Sequence, residues 1–96
     1  MNNQTIGRKH FERAMEAATK ESRALSLYNA MGLLIGFDNV EESLLESMAP
    51  NSVERYLTYV LNLANQGDTQ DAYPSLIPTQ EDLDGVIGVL RGILED

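Results

Sequence analysis

The chain has 96 residues and no cysteine, and its 15 acidic and 7 basic residues give a formal net charge of −8. The length suits one small domain, and we predict a single domain over residues 1–96. The lack of cysteine excludes disulfides, thiolate zinc ligands and a cysteine nucleophile, and the negative charge disfavours binding to a phosphate backbone.

The chain shows no pattern typical of export or membrane insertion. Residues 1–5 lack the basic and then apolar order of a secretory signal. The longest apolar stretch, residues 31–37, is far shorter than the roughly 20 residues that a membrane span needs. We therefore expect a cytoplasmic protein with no membrane contact.

Charge is unevenly distributed along the chain. Residues 1–23 hold five basic and three acidic residues, a net charge of +2. Residues 24–96 hold two basic and twelve acidic residues, a net charge of −10. The basic start raises the alternative of a DNA-binding regulator, but the acidic remainder makes binding to nucleic acid unlikely.

Helical periodicity dominates the sequence, and the first helical segment covers residues 5–36. Thr5 is predicted as its N-cap, and Gly36 as the residue that closes it with a left-handed turn. About thirty residues is long for one helix in so small a domain. A break near residues 22–26 is plausible, which leaves open whether this segment is one helix or two.

Two further helices follow in the middle of the chain. Residues 39–48 form a short helix, with Asp38 or Asn39 as its cap and Pro50 ending it. Ser52 is predicted to cap the next helix, which Gly67 closes. That helix has a clear apolar stripe of residues spaced three and four apart: Val53, Tyr56, Leu57, Val60, Leu61 and Ala64.

The end of the chain is predicted as a loop followed by a helix. Residues 68–78 form the loop, in which Leu76 and Ile77 are expected to contact the core. Thr79 and Asp82 approximate a capping box at the start of the last helix, whose apolar stripe runs from Leu83 to Leu94. The predicted fold is all-α, a compact bundle of four to five helices.

No motif in the sequence predicts chemistry. The single histidine, His10, stands among basic residues, which favours a solvated helix position over a general base or a ligand. Neither zinc-site nor EF-hand spacing is present. We therefore predict no catalytic residue, no metal site and no cofactor, and do not expect an enzyme.

Three glycines on the last helix are the one unusual feature. Gly85, Gly88 and Gly92 fall within about 60° of each other on one helix face. Each costs about 1 kcal/mol of helix propensity relative to alanine. The face either packs closely on an internal neighbour, such as the alanines at positions 14, 17 and 18, or forms a docking or self-association surface.

The sequence therefore predicts a small acidic protein-binding module, such as an inhibitor, adaptor or regulatory protein, whose partner has a basic surface. One alternative is a homo-oligomeric assembly protein that associates through the glycine helix. A second is a nucleic-acid mimic that inhibits a DNA- or RNA-binding protein. The predicted partner-binding residues lie on the last helix and on the short one: Glu81, Asp84, Gly85, Gly88 and Glu95, with Glu41, Glu42 and Glu46.

Overall fold

A computed structural model describes residues 2–66 and 77–95 of the chain. Within these residues it contains five α-helices, one 3₁₀ turn and no β-strand. The helices are α1 (Asn3–Glu16), α2 (Lys20–Ile35), α3 (Val40–Leu45), α4 (Pro50–Gln66) and α5 (Gln80–Glu95), with the 3₁₀ turn at Phe37–Asn39. The predicted all-α bundle of four to five helices is confirmed.

The first helical segment is two helices, and the break lies earlier than residues 22–26. Ala17 and Thr19 have extended backbone, and the Thr19 hydroxyl accepts the Ser22 N–H at 3.1 Å to cap α2. The predicted N-cap at Thr5 is wrong, because α1 begins earlier. Its cap is Asn2, whose side-chain oxygen accepts the Thr5 N–H at 2.9 Å.

A sharp turn connects α2 to α3. Gly36 has a φ of +90°, which side chains rarely adopt, and its N–H donates to the Gly32 carbonyl at 2.9 Å. Asn39, one of the two predicted candidates, is the N-cap residue of α3, but its side chain does not cap this helix. Its Nδ2 donates to the Ile35 carbonyl at 2.7 Å, which closes α2.

The start of α4 differs from the prediction, and the start of α5 agrees with it. Pro50 is the first residue of α4, a position that proline favours, so Ser52 lies inside the first turn and is not the cap. At α5 the capping box is confirmed by both bonds. The Asp82 N–H donates to Thr79 Oγ1 at 3.2 Å, and the Thr79 N–H donates to Asp82 Oδ2 at 2.9 Å.

The core lies between α2, α4 and α5, with α3 covering one side. Among the described residues Tyr56 is the largest fully buried side chain, and its hydroxyl donates to the Ala24 carbonyl at 2.8 Å. The apolar stripe predicted for α5 is buried except for half-buried Ile93. Burial of these side chains supplies the main driving force for folding.

The predicted loop lies mostly outside the described residues, which exclude residues 67–76 and so Gly67 and Leu76. Ile77 packs against the core as expected, and Pro78 is buried. Among the helices that the structure describes, none has the length and apolar character to cross a membrane.

Candidate functional site

The glycine face of α5 is divided between packing and open surface. A Cβ built on Gly85 would lie 3.1 Å from the Met48 side chain, so this glycine accommodates a neighbour. Gly88 and Gly92 are exposed, and no described atom lies within 4 Å of a Cβ built on either. The helix therefore carries two glycines, each about 1 kcal/mol less favourable than alanine, that no described contact explains.

The alanines of the first segment do not cover this face. Ala14 is buried in the core, Ala17 is half-buried after α1, and Ala18 is exposed. Close packing on an internal neighbour therefore holds only at Gly85, where the neighbour is Met48 and not an alanine, and no described residue packs on Gly88 or Gly92.

The predicted acidic residues of α5 lie at the surface. Glu81, Asp84 and Glu95 are all exposed, and Asp84 accepts a hydrogen bond of 2.9 Å from the Gln80 side chain one turn earlier. These carboxylates flank the open part of the glycine face on the helical wheel. They lie along the same side of α5 as Gly88, on successive turns of the helix, and Gly85 lies at the packed end of the face.

The three predicted acids of α3 are exposed but point to two different places. Glu42 and Glu46 border a shallow depression of about 270 Å³ beside Ile35 and Asn39. Glu41 instead borders a larger groove of about 340 Å³ between the 3₁₀ turn and α4. The structure therefore does not make one cluster of these three carboxylates.

This larger groove, named here the Phe37 groove, has an apolar floor and an acidic rim. Its apolar lining is Tyr28, Phe37, Val40, Leu57 and Leu61. Its rim carries three exposed carboxylates, with Thr58 completing the wall: Asp38, Glu41 and Glu54. Phe37 is 49% exposed and Leu61 46% exposed, so both present apolar surface to solvent.

Two glycines and a tyrosine hold the Phe37 ring at the surface. A Cβ built on Gly32 would overlap this ring, so the ring lies directly on the α2 backbone. Gly36 turns the chain so that Phe37 folds back over α2. The Tyr28 ring lies beside it, with ring centroids 5.1 Å apart and planes tilted by 43°. Gly32 costs about 1 kcal/mol of helix propensity for this arrangement.

The Phe37 groove was not predicted from the sequence, because Leu57 and Leu61 were both assigned to the apolar stripe of α4 that faces the core. Leu57 is partly buried and Leu61 is about half exposed. The helical wheel of α4 could have indicated this position of Leu61. Leu61 lies about 80° from Val53 around the helix, on the side away from Tyr56, and so at the edge of the buried face. Glu54, Leu57 and Leu61 instead form a second stripe along α4, beside the buried one.

Hydrogen bonds tie several basic side chains to other parts of the described chain, among them Arg8, Lys20, Arg23 and Arg55. Arg8 donates to the Leu94 carbonyl at 3.2 Å, and Lys20 donates to the Pro78 carbonyl at 2.7 Å. Arg23 donates to the carbonyls of Ala14 and Ala17, at 3.2 and 3.1 Å, at the end of α1. Most of these carbonyls lie at or next to helix ends, where backbone donors are few, and the Ala14 carbonyl also accepts the Ala17 N–H at 3.2 Å.

The fourth cation, Arg55, pairs with the buried carboxylate of Asp82, whose side chain is 3% exposed. Hydrogen bonds from Arg55, the Thr79 N–H and the Ser52 hydroxyl outweigh burial and lower the pKa of Asp82 to about 2. Both oxygens of this carboxylate accept hydrogen bonds from groups of the fold, which indicates a structural role for the pair.

The carboxylates are exposed more often than the basic side chains, of which four described ones are exposed: Arg8, Lys9, Arg13 and Arg91. Ten described acidic residues are exposed: Glu12, Glu16, Asp38, Glu41, Glu42, Glu46, Glu54, Glu81, Asp84 and Glu95. They do not gather into a metal site, because no group of three or more potential ligands occurs among the described residues. The outer surface is therefore acidic on several helices.

Comparison of the chain with protein-family models, with curated proteins and with solved structures found no match. The case for a function accordingly comes from the geometry and charge described above.

Proposed function

We propose that the protein is a non-catalytic, cytoplasmic protein-binding module that presents an acidic helical surface to a partner with a basic surface. The observation that carries this proposal is the excess of exposed carboxylates over exposed basic side chains. Ten described carboxylates are exposed, against four described basic side chains: Arg8, Lys9, Arg13 and Arg91. Arg8, Lys20 and Arg23 also donate to main-chain carbonyls. Such a surface attracts cations and steers a basic partner towards it.

The same excess of exposed carboxylates argues against nucleic acid as the partner. Binding to a phosphate backbone requires Lys and Arg side chains that reach the phosphates. Here Arg8, Lys20 and Arg23 would first have to give up their carbonyl contacts, and the neighbouring carboxylates would repel the phosphates. A basic protein surface meets neither obstacle.

The α5 face is one contact surface for this proposal. Exposed Gly88 and Gly92 would allow the backbone of a partner to approach closely, with Asp84 and Glu95 beside them. We expect Gly88→Leu to abolish binding through this face while leaving helical circular dichroism and melting temperature near wild type. Gly88→Ala, which adds one methyl group to the same open position, is the matched control.

The test is affinity capture from a nuclease-treated bacterial lysate at about 0.1 M and about 0.5 M salt. Binding through charge should weaken at the higher salt, because the distance over which charges attract each other shortens as salt rises. Supporting results are a dominant protein partner that is released at high salt, together with weaker capture by Asp84→Asn/Glu95→Gln than by Glu12→Gln/Glu16→Gln. These two pairs of changes remove the same charge from α5 and α1. Equal capture by both pairs would argue against the α5 face.

A homo-oligomer that associates through α5 is the second candidate. It is favoured by the open backbone at Gly88 and Gly92, spaced four residues apart on one face. Particle mass in solution decides between the two. A concentration-dependent dimer or larger assembly that Gly88→Leu converts to a monomer would favour self-association, and a monomer at all concentrations would exclude it.

A further inference from the structure

The Phe37 groove combines features that a structural explanation does not require. Gly32 lacks a side chain at the position where the Phe37 ring lies, yet half of this ring still faces solvent. Leu61, on the opposite wall, is also half exposed. Two large apolar side chains therefore face one opening that the described chain does not fill.

The rim of the groove determines the charge that suits it. Asp38, Glu41 and Glu54 surround the apolar lining, and each is exposed. An apolar group entering the groove would bring its neighbouring residues beside these three carboxylates. Positive neighbours would be attracted, and negative ones would be repelled.

The shape of the groove favours a segment of a protein over a small ligand. A volume of about 340 Å³ is at the low end for small-molecule pockets, which hold about 300–1,000 Å³. The groove is open to solvent, and one wall is a helix face from Glu54 to Leu61, about two turns long. An amphipathic helix lying along such a wall would insert apolar side chains spaced three or four residues apart.

We propose that the Phe37 groove binds a basic amphipathic helix of a partner protein. The helix inserts one or two apolar side chains between Phe37 and Leu61, and its Lys and Arg side chains contact Asp38, Glu41 and Glu54. This inference rests on the proposed function and names the site and the chemistry of the partner.

The probe is a synthetic peptide of about 18 residues, made of Lys with Leu on one helical face, which is long enough to form a helix on binding. One control peptide has Ala in place of Leu at the same charge, and another has Glu in place of Lys. Binding is followed by amide chemical shifts of the labelled full-length chain. We expect shifts in residues 37–41 and 54–61, and much weaker binding of both control peptides.

Variants test the two parts of the groove. Leu61→Ala and Phe37→Ala should each weaken peptide binding by about tenfold, the size of an interface anchor. Met15→Ala is the matched control, because Met15 is 42% exposed and lies outside the groove. Glu54→Lys should weaken binding more than Glu12→Lys, which changes the charge equally on α1. Leu61 is already about half exposed, so Leu61→Ala should stay folded and can test the groove even if Phe37→Ala unfolds.

Several outcomes would overturn the groove proposal. One is an equal loss of peptide affinity in Leu61→Ala and Met15→Ala. The others are amide chemical-shift changes confined to α5, or no chemical-shift change at the groove residues. Chemical-shift changes in the groove that appear on raising the protein concentration without peptide would identify a second copy of the chain as the occupant. The same chemical-shift changes with spermine would identify a small polycation as the occupant. Peptide binding at α5 would leave the proposed function intact, whereas equal binding of the Glu peptide would contradict both.

Discussion

Arg55 and Asp82 form a two-bond ion pair that joins α4 to the first turn of α5. Arg55 Nε lies 2.6 Å from Asp82 Oδ2, and Arg55 Nη2 lies 3.0 Å from Asp82 Oδ1. The same carboxylate completes the capping box with Thr79 and accepts a hydrogen bond from Ser52. One buried side chain therefore fixes both the start of α5 and its position against α4.

The first prediction concerns the pH dependence of stability through Asp82. Its pKa is about 2 in the folded chain and 3.8 ordinarily. Because the folded pKa is the lower one, the carboxylate stabilises the fold above about pH 4 and loses this contribution as the pH falls towards 2. The shift corresponds to about 2 kcal/mol. Urea unfolding should show Asp82→Asn less stable by about this amount at pH 7.

The difference in free energy of unfolding between Asp82→Asn and wild type should decrease as the pH falls from about 4 to about 2. Asp84→Asn is the control, because Asp84 is exposed on the same helix, and it should change stability by no more than about 0.5 kcal/mol. A pH-independent deficit for Asp82→Asn would show that its charge does not stabilise the fold.

The second prediction is an energetic coupling between positions 32 and 37. In a Phe37→Ala background the space above Gly32 is vacated, so Gly32→Ala should stabilise the chain by about 1 kcal/mol through helix propensity. In the wild-type background the new methyl group would overlap the ring, so the gain should vanish or reverse. Unfolding of the four proteins in this double-mutant cycle measures the coupling, and additive effects would contradict the observed contact.

The third prediction concerns the open glycines of α5. Gly88→Ala and Gly92→Ala each place a methyl group in open space, so each should stabilise the helix by up to about 1 kcal/mol. The gain at Gly92 should be smaller, since it lies near the end of α5. Gly85→Ala should gain less than Gly88→Ala, because its methyl group would push against Met48. Thermal unfolding of the three variants ranks their gains in stability. Destabilisation by Gly88→Ala would show that another part of the chain covers this face.

The fourth prediction concerns Arg23, which donates to two carbonyls at the end of α1. Arg23→Met keeps much of the aliphatic chain and removes both donors. It should destabilise the chain by about 1 kcal/mol, because charged hydrogen bonds to helix ends are among the stronger ones. Arg91→Met, an exposed position on α5 with the same loss of charge, is the comparison. Hydrogen exchange in α1 should rise only in the Arg23 variant.

Features set by neighbouring residues could be predicted from the sequence, and features set by packing could not. The capping box was predicted because Thr79 and Asp82 are three residues apart and each satisfies the other. The helix starts at Thr5 and Ser52 were wrong because each stretch offers more than one acceptable cap. The pairing of Asp82 with Arg55 joins residues 27 apart, and no local pattern indicates it.

The candidate sites show the same division. Glu81, Asp84 and Glu95 were placed at the surface by the helical wheel, and they are exposed. The Phe37 groove was not predicted, since it depends on where the 3₁₀ turn returns over α2 and on how far Leu61 lies from the core. Both are consequences of tertiary packing.

The overlap of the Phe37 ring with the space above Gly32 also limits the order in which the sequence can evolve. While position 37 carries a large ring, almost any side chain at position 32 is excluded, so position 32 is held fixed by its neighbour. The residue at position 37 can first change to a smaller one, and only then can position 32 accept a residue with a side chain. A lineage that gives up the groove should therefore lose the aromatic residue before it regains a side chain on α2, and the two changes should be found in that order.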